Sequence, residues 1–78
     1  MEQGTDMKAA EQIFLDMSFT EALAMAEESD VEAAQDRSGY DGPDIWVWYA
    51  NGLCVRYGED YEPLAVQLCG TASVLYPA

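Results

Sequence analysis

The sequence predicts an α+β domain in which N-terminal helices pack on a small antiparallel sheet. Three observations lead to this class: apolar residues recur at helical spacing before residue 29, a capping box begins at Ser18, and two strand-like runs flank the pair Asn51-Gly52. The predicted order is helix, helix, strand, hairpin, short helix and strand, with residues 1–78 forming a single domain.

Two helices open the chain. The first is predicted over residues 5–16, where apolar side chains recur on one side. The second begins at Phe19, because the Ser18 hydroxyl can accept from the Glu21 amide while the Glu21 carboxylate accepts from the Ser18 amide. Its stripe of apolar residues at three- and four-residue spacing ends near Ser29.

A β-hairpin is the clearest structural signal in the chain. It follows a weak predicted strand over residues 31–35 and a loop. The runs 45–50 and 53–57 are rich in aromatic and β-branched residues, and Asn51-Gly52 between them is the preferred pair for a two-residue type I′ turn.

That turn would fix which side chains share a face of the hairpin. It pairs residues outward from the turn, namely Ala50 with Leu53, Trp48 with Val55 and Trp46 with Tyr57. We therefore expect the face that carries both tryptophans to lie in the core beneath the helices. The other face would hold Ile45, Val47 and Tyr49 opposite Arg56 and Cys54, so it is the more polar of the two, and we expect it to be the less buried.

The end of the chain is predicted to form a short helix and a strand. Pro63 suits the first turn of a helix that runs to about Cys69 and stops at Gly70. A last strand over residues 72–76 would then close the sheet.

Net charge is the strongest functional signal. The chain has 15 aspartate and glutamate residues, 3 lysine and arginine residues and no histidine, which give a formal charge of −12. Like charges on a small folded surface repel one another and oppose folding, so a field of this size indicates selection for a basic partner, above all a protein surface that holds nucleic acid. The alternative is that the acidity serves solubility alone.

The carboxylates that would contact such a partner fall into two clusters. One lies at the end of the second helix and in the first strand, and the other lies in predicted loops. Together on one side of the domain they would partly imitate duplex DNA, which carries one charge per ~1.7 Å of axis. The predicted partner-binding residues are Glu27, Glu28, Asp30, Glu32, Asp36, Asp41, Asp44, Glu59, Asp60 and Glu62.

The sequence disfavours several other functions. Nucleophilic catalysis has neither a histidine nor a Gly-x-Ser-x-Gly elbow, so we expect no enzymatic activity. Cys54 and Cys69 lack zinc-ligand spacing, so we expect buried, reduced thiols and neither a metal nor another cofactor. The negative charge also argues against an exposed tryptophan platform for nucleic-acid bases and against direct nucleic-acid binding.

Targeting signals are not evident in the sequence. No apolar run reaches the length of a membrane span, and the first residues lack the basic and then apolar pattern of a signal peptide. We therefore expect a protein of the bacterial host cytoplasm without a membrane contact, present as a monomer or a small homo-oligomer.

Three segments resemble a family of small phage proteins. They are the capped helix start Met-Ser-Phe-Thr-Glu-Ala-Leu at 17–23, the stretch Tyr-Asp-Gly-Pro-Asp-Ile-Trp-Val at 40–47, and the segment from Pro63 to Leu68 with the strand after it. They are similar to phage immune antagonists of the Thoeris anti-defence 2 type. The resemblance implies a phage-borne immune antagonist with a helix packed on an antiparallel sheet.

The chain also departs from that family. Those relatives carry basic residues on the strand after the helix and sequester a cyclic nucleotide signal, whereas residues 31–36 here are Val-Glu-Ala-Ala-Gln-Asp, and Ser73 lies near the place of a closing tryptophan. We therefore carry over no ligand residue. The acidity resembles that of anti-CRISPR proteins, which implies binding to the basic DNA-binding surface of a CRISPR effector subunit, such as one of a type I Cascade complex.

Two other functions stay open at this point. The protein could keep a small-molecule pocket and sequester a nucleotide signal, with Arg37 or Arg56 holding a phosphate. It could also neutralise a toxin or act as a decoy for a transcription factor, which differs from the anti-CRISPR hypothesis only in the identity of the basic partner.

Overall fold

The structure is a computed structural model that describes residues 6–35 and 44–78. Two helices precede a five-stranded sheet, which confirms the predicted α+β class with N-terminal helices on a small antiparallel sheet. The elements are α1 (Asp6–Asp16), α2 (Phe19–Glu27), β1 (Val31–Gln35), β2 (Ile45–Tyr49), β3 (Leu53–Tyr57), β4 (Pro63–Leu68) and β5 (Val74–Leu75).

Helix α2 begins where the sequence predicts. Ser18 Oγ accepts from the Glu21 amide and Glu21 Oε1 accepts from the Ser18 amide, each at 3.1 Å, so the capping box is formed. A cap of this kind stabilises a helix by about 1 kcal/mol. Ala22 and Ala26 are completely buried where α2 packs on β3 and β4. Because alanine has a short side chain, the helix can lie close to the sheet.

The sheet is a meander in which each strand pairs with the next one along the chain. All four pairings are antiparallel. The predicted short helix from Pro63 to Cys69 is wrong, because this segment is strand β4 and Val66 pairs with Val55. Its apolar residues fit both periodicities, and pairing with two neighbouring strands decides in favour of the strand. Pro63 is tolerated because it is the first residue of the strand.

The connection between β2 and β3 has three residues rather than two. Trp48 pairs with Cys54 and Val47 with Val55, so the predicted pairing of Trp48 with Val55 is wrong by one position. The Gly52 amide donates to the Tyr49 carbonyl at 3.0 Å. Gly52 has a φ of +90°, and the other described residues with positive φ, Tyr61 and Gly70, lie outside this turn. A type I′ turn needs positive φ at both central residues, so this turn is not of that type.

Contacts with the end of α2 explain this register. The Ala50 amide donates to the Asp30 carbonyl at 2.8 Å, so it is not available to pair with Leu53. Asn51 Nδ2 donates to the Met25 carbonyl at 2.8 Å, and Asn51 Oδ1 accepts from the Leu53 amide at 3.3 Å. The turn is therefore fastened to the helix as well as to the strands.

The register reverses the predicted faces of the hairpin. A shift of one residue moves every side chain to the other face of a strand. The expectation that Trp46 and Trp48 lie in the core is therefore wrong, and so is the expectation that the face of Ile45, Val47 and Tyr49 is the less buried one. The core beneath the helices consists of Phe14, Ala22, Ala26, Tyr49, Leu53, Val55 and Val66. The close approach of α2 leaves little room there for two indole rings.

Replacement of Asn51 tests how the turn is held. We expect Asn51→Ala to lower the free energy of unfolding by about 1–2 kcal/mol, because it removes the hydrogen bonds to Met25 and Leu53. Asn51→Asp can still accept from Leu53 but cannot donate to Met25, so its loss should be intermediate. Urea unfolding of the three proteins measures these differences. Equal stability of all three would contradict a turn fastened to α2.

Candidate functional site

The described candidate carboxylates lie at two ends of the sheet. Glu28 and Asp30 follow α2 beside the 50–52 turn, and Glu32 lies near the start of β1. Asp44 precedes β2, and Glu59, Asp60 and Glu62 lie in the connection between β3 and β4, at the other end of the strands. A five-residue strand spans about 14–17 Å, so the sheet separates the two clusters.

These carboxylates form two groups, one at each end of the sheet. The turn-end carboxylates are Glu28, Asp30 and Glu32, and all three are exposed. The far-end carboxylates are Asp44, Glu59, Asp60 and Glu62, of which Asp44 is partly buried and the others are exposed. Asp36 and Asp41 lie outside the described residues. The structure therefore brings each group together at its own end and does not merge the two.

Glu27 has a role inside the domain. The Tyr57 hydroxyl donates to Glu27 Oε2 at 2.6 Å and also lies 2.9 Å from the Tyr49 hydroxyl. Burial first, and then these hydrogen bonds, raise the pKa of Tyr57 well above its ordinary value. Glu27 therefore links the end of α2 to the sheet, which gives a structural reason for a carboxylate at the unfavourable end of the helix dipole.

Two of the far-end carboxylates also have partners within the chain. Asp44 Oδ2 lies 3.0 Å from Arg56 Nε, in an ion pair without the alignment of a good hydrogen bond. Glu62 Oε1 accepts from the Asp60 amide at 3.1 Å, and its carboxyl group lies against Gly58, where an added Cβ would be 2.7 Å away. The exposed turn-end carboxylates make no hydrogen bond or ion pair through their side chains within the described residues.

The face of the sheet away from the helices carries a hollow with two tryptophans. The ring centroids of Trp46 and Trp48 are 6.4 Å apart and their planes are tilted by 30°. Arg56 Cζ lies 5.8 Å from the centroid of the Trp46 ring. We call this site the tryptophan hollow; its volume is about 190 Å³, and it is lined by Trp46, Trp48, Cys54, Gln67, Leu68, Cys69, Gly70 and Thr71.

Sequence reasoning missed the tryptophan hollow because it assumed a two-residue turn. The alternation in Leu53–Tyr57 did mark the face of Arg56 and Cys54 as the more polar one. The assumed turn put Ile45, Val47 and Tyr49 on that face, where the structure has the two tryptophans. An arginine at one of these positions favours that face as the one open to solvent. A three-residue turn with Gly52 in the last position then puts both tryptophans beside Arg56.

The two thiols differ in exposure. Cys54 is buried as expected, whereas Cys69 is exposed, which corrects the prediction for that residue. Burial, with a smaller contribution from Cys69, raises the pKa of Cys54 to about 11. Burial of part of its surface and the charge of Glu32 raise the pKa of Cys69. Both groups are therefore protonated thiols at neutral pH and weak nucleophiles.

A second depression lies between α1 and the sheet and is almost entirely apolar. Its volume is about 210 Å³, and Ile13, Phe14, Met17, Met25 and Leu53 contribute to its wall. None of the described residues that line it is titratable, so they offer no group for acid or base chemistry. Nowhere in the described residues do three histidine, cysteine or carboxylate side chains converge as metal ligands.

Comparisons with known proteins do not extend this picture. No protein-family model, no curated protein and no solved structure matches the chain. Within the described residues, neither helix has the length and apolar character that a membrane crossing needs.

The Tyr57 network should make stability fall at alkaline pH. An unfolded tyrosine loses its proton near pH 10, whereas folded Tyr57 keeps it, so the contribution of Tyr57 to stability is complete below about pH 10 and is lost as the pH rises further. We expect Tyr57→Phe to reduce this loss, measured as the difference in unfolding free energy between about pH 8 and about pH 10.5.

Tyr76→Phe is the matched control for this measurement. Tyr76 is 63% exposed, so its replacement should leave the pH dependence as in the unmodified protein. Cys54 is present in every variant and cancels in the comparison. An identical alkaline loss in Tyr57→Phe and the unmodified protein would contradict a role for the Glu27–Tyr57 hydrogen bond.

Proposed function

We propose that the protein is a non-enzymatic, phage-encoded inhibitor that binds the basic DNA-binding surface of a CRISPR effector complex and blocks its access to DNA. The single observation that carries this proposal is the formal charge of −12 on a folded chain of 78 residues. The resemblance to phage immune antagonists directs the choice of target. A toxin or a transcription factor with a basic surface would be bound by the same chemistry.

The arrangement of charges supports contact with a basic groove. Arg56, the one cation whose side chain is described, is paired with Asp44, so it does not offset the exposed turn-end carboxylates. Two acidic groups about 14–17 Å apart can lie along one groove. Duplex DNA carries roughly nine charges over such a length, so the protein would imitate it only in part. Binding would still release counterions from the partner's cations.

Sequestration of a nucleotide signal is the second candidate function. The tryptophan hollow favours it, because indole rings provide faces on which a nucleobase can stack. The ion pair between Arg56 and Asp44 argues against sequestration, because a phosphate group would have to displace that carboxylate. Calorimetry with cyclic nucleotides separates the two candidates, since tight binding of one of them would favour sequestration.

Reversal of charge at the turn end should weaken inhibition. We expect Glu28→Lys/Asp30→Lys to raise the concentration needed for half-maximal inhibition of DNA binding by about tenfold or more, because both side chains are exposed and make no hydrogen bond or ion pair within the described residues. Glu27 is left unchanged, since it bonds to Tyr57. Electrophoretic competition between the protein and target DNA for a purified effector measures the effect.

Gln12→Lys/Asp16→Lys/Thr20→Lys is the matched control, because it gives the same net charge through exposed residues of the two helices, outside the turn end. It should retain inhibition, and inhibition by the unmodified protein should fall steeply as salt is raised. If the two variants lose inhibition equally, inhibition depends on the net charge of the protein, and the turn end is not the contact. If no effector of the host is inhibited at saturating protein, the proposed function is wrong.

A further inference from the structure

We propose that the tryptophan hollow is the docking site for an arginine side chain of the basic partner, whose guanidinium group would stack on the indole of Trp48, at the end of the hollow away from Arg56. This inference rests on the proposed function and adds to it the residues that anchor the contact. It assigns a role to the face of the sheet that the helices leave uncovered.

The geometry of the hollow fits such a group. Trp46 and Trp48 lie on the same face of β2, and Ala33 pairs with Trp48 from the neighbouring strand. A methyl side chain at that position leaves the flank of the indole open. A volume of about 190 Å³ is that of roughly six water molecules, which is enough for a guanidinium group and part of its apolar stem.

An internal contact shows that this surface accepts a guanidinium. Arg56 Cζ lies 5.8 Å from the centroid of Trp46, within the range of a cation–π interaction. The planar guanidinium also stacks on aromatic rings more favourably than a lysine ammonium does, because it is less strongly hydrated. Arg56 lies beside the hollow, next to Asp44, whereas Trp48 lies toward the turn end.

Charge decides between a cation and an anion as the occupant. Among the described side chains that line the hollow there is no lysine or arginine. Glu32 is near enough to Cys69, at the edge of the hollow, to raise the pKa of that thiol. Arg56, the one cation whose side chain is described, is paired with Asp44. The local field therefore attracts a cationic side chain and repels a phosphate.

The composition of the surface suits an interface anchor. Tryptophan is among the residues that dominate binding energy at protein interfaces, whereas exposed charges mainly accelerate and orient the encounter. Gln67 adds an amide oxygen that can accept from a guanidinium N–H. The exposed Glu32 lies close by and can pair with the same guanidinium at the edge of the hollow.

The test uses an acetylated, amidated triarginine peptide as the probe. The chain has two tryptophans, so its NMR spectrum has two indole N–H signals, and we expect both to shift on addition of the peptide to the unmodified protein. At about 0.3 M salt, where exposed carboxylates are largely screened, the peptide should bind Trp48→Val about tenfold more weakly than the unmodified protein. Tyr76→Val, a replacement of an exposed aromatic that does not line the hollow, should bind as the unmodified protein does.

Several results would overturn the inference. Unchanged indole signals in the unmodified protein would do so without any variant. Equal affinity of Trp48→Val and Tyr76→Val for the peptide would also overturn it. So would indole signals that shift with adenosine monophosphate but not with the peptide. Docking of a second copy would appear as indole shifts that depend on protein concentration in the absence of peptide.

Failure of this inference can be told apart from failure of the proposed function. If Trp48→Val still inhibits the effector while the Glu28→Lys/Asp30→Lys variant does not, the protein is an inhibitor and the hollow is not its anchor. If the peptide binds through Trp48 but no effector is inhibited, the arginine site stands and the proposed target is wrong.

Discussion

The three-residue turn between β2 and β3 is the constraint on which the rest of the domain depends. It is fixed less by its own sequence than by two hydrogen bonds to the end of α2, from the Ala50 amide to Asp30 and from the Asn51 side chain to Met25. These bonds set the register of the hairpin. Register in turn decides which alternate side chains meet the helices and which remain on the open face.

The core follows from that choice of face. Small residues on α2 allow the helix to lie close to Val55 and Val66, and the two tyrosines reach a shared hydrogen bond with Glu27 beside them. A core made largely of alanine, valine and leucine suits a short helix close to a sheet. Two indole rings would hold the helix away from the sheet. The close packing of α2 on the sheet therefore requires both tryptophans to lie outside the core.

Local signals in the sequence were sufficient for some elements and insufficient for others. The capping box at Ser18 is decided within four residues, and α2 forms as predicted. Strand β4 depends on pairing with β3 and β5, and the local sequence that begins with Pro63 does not indicate this pairing. The turn depends on a contact between Asn51 and Met25, 26 residues apart. The charge of −12 could be read directly, but its division between two ends of the sheet required the strand order.

Charge and shape have different roles in recognition by a small acidic protein. A field of many carboxylates attracts any basic surface and has little power to choose among them, because electrostatic attraction in water is long-ranged and only weakly dependent on geometry. A close-packed contact in a hollow is short-ranged and depends on the position of each atom. In this fold, the register that keeps Trp46 and Trp48 out of the core also supplies that hollow, between the two acidic ends of the sheet. One turn thus determines both how the chain packs and where the proposed arginine contact would lie.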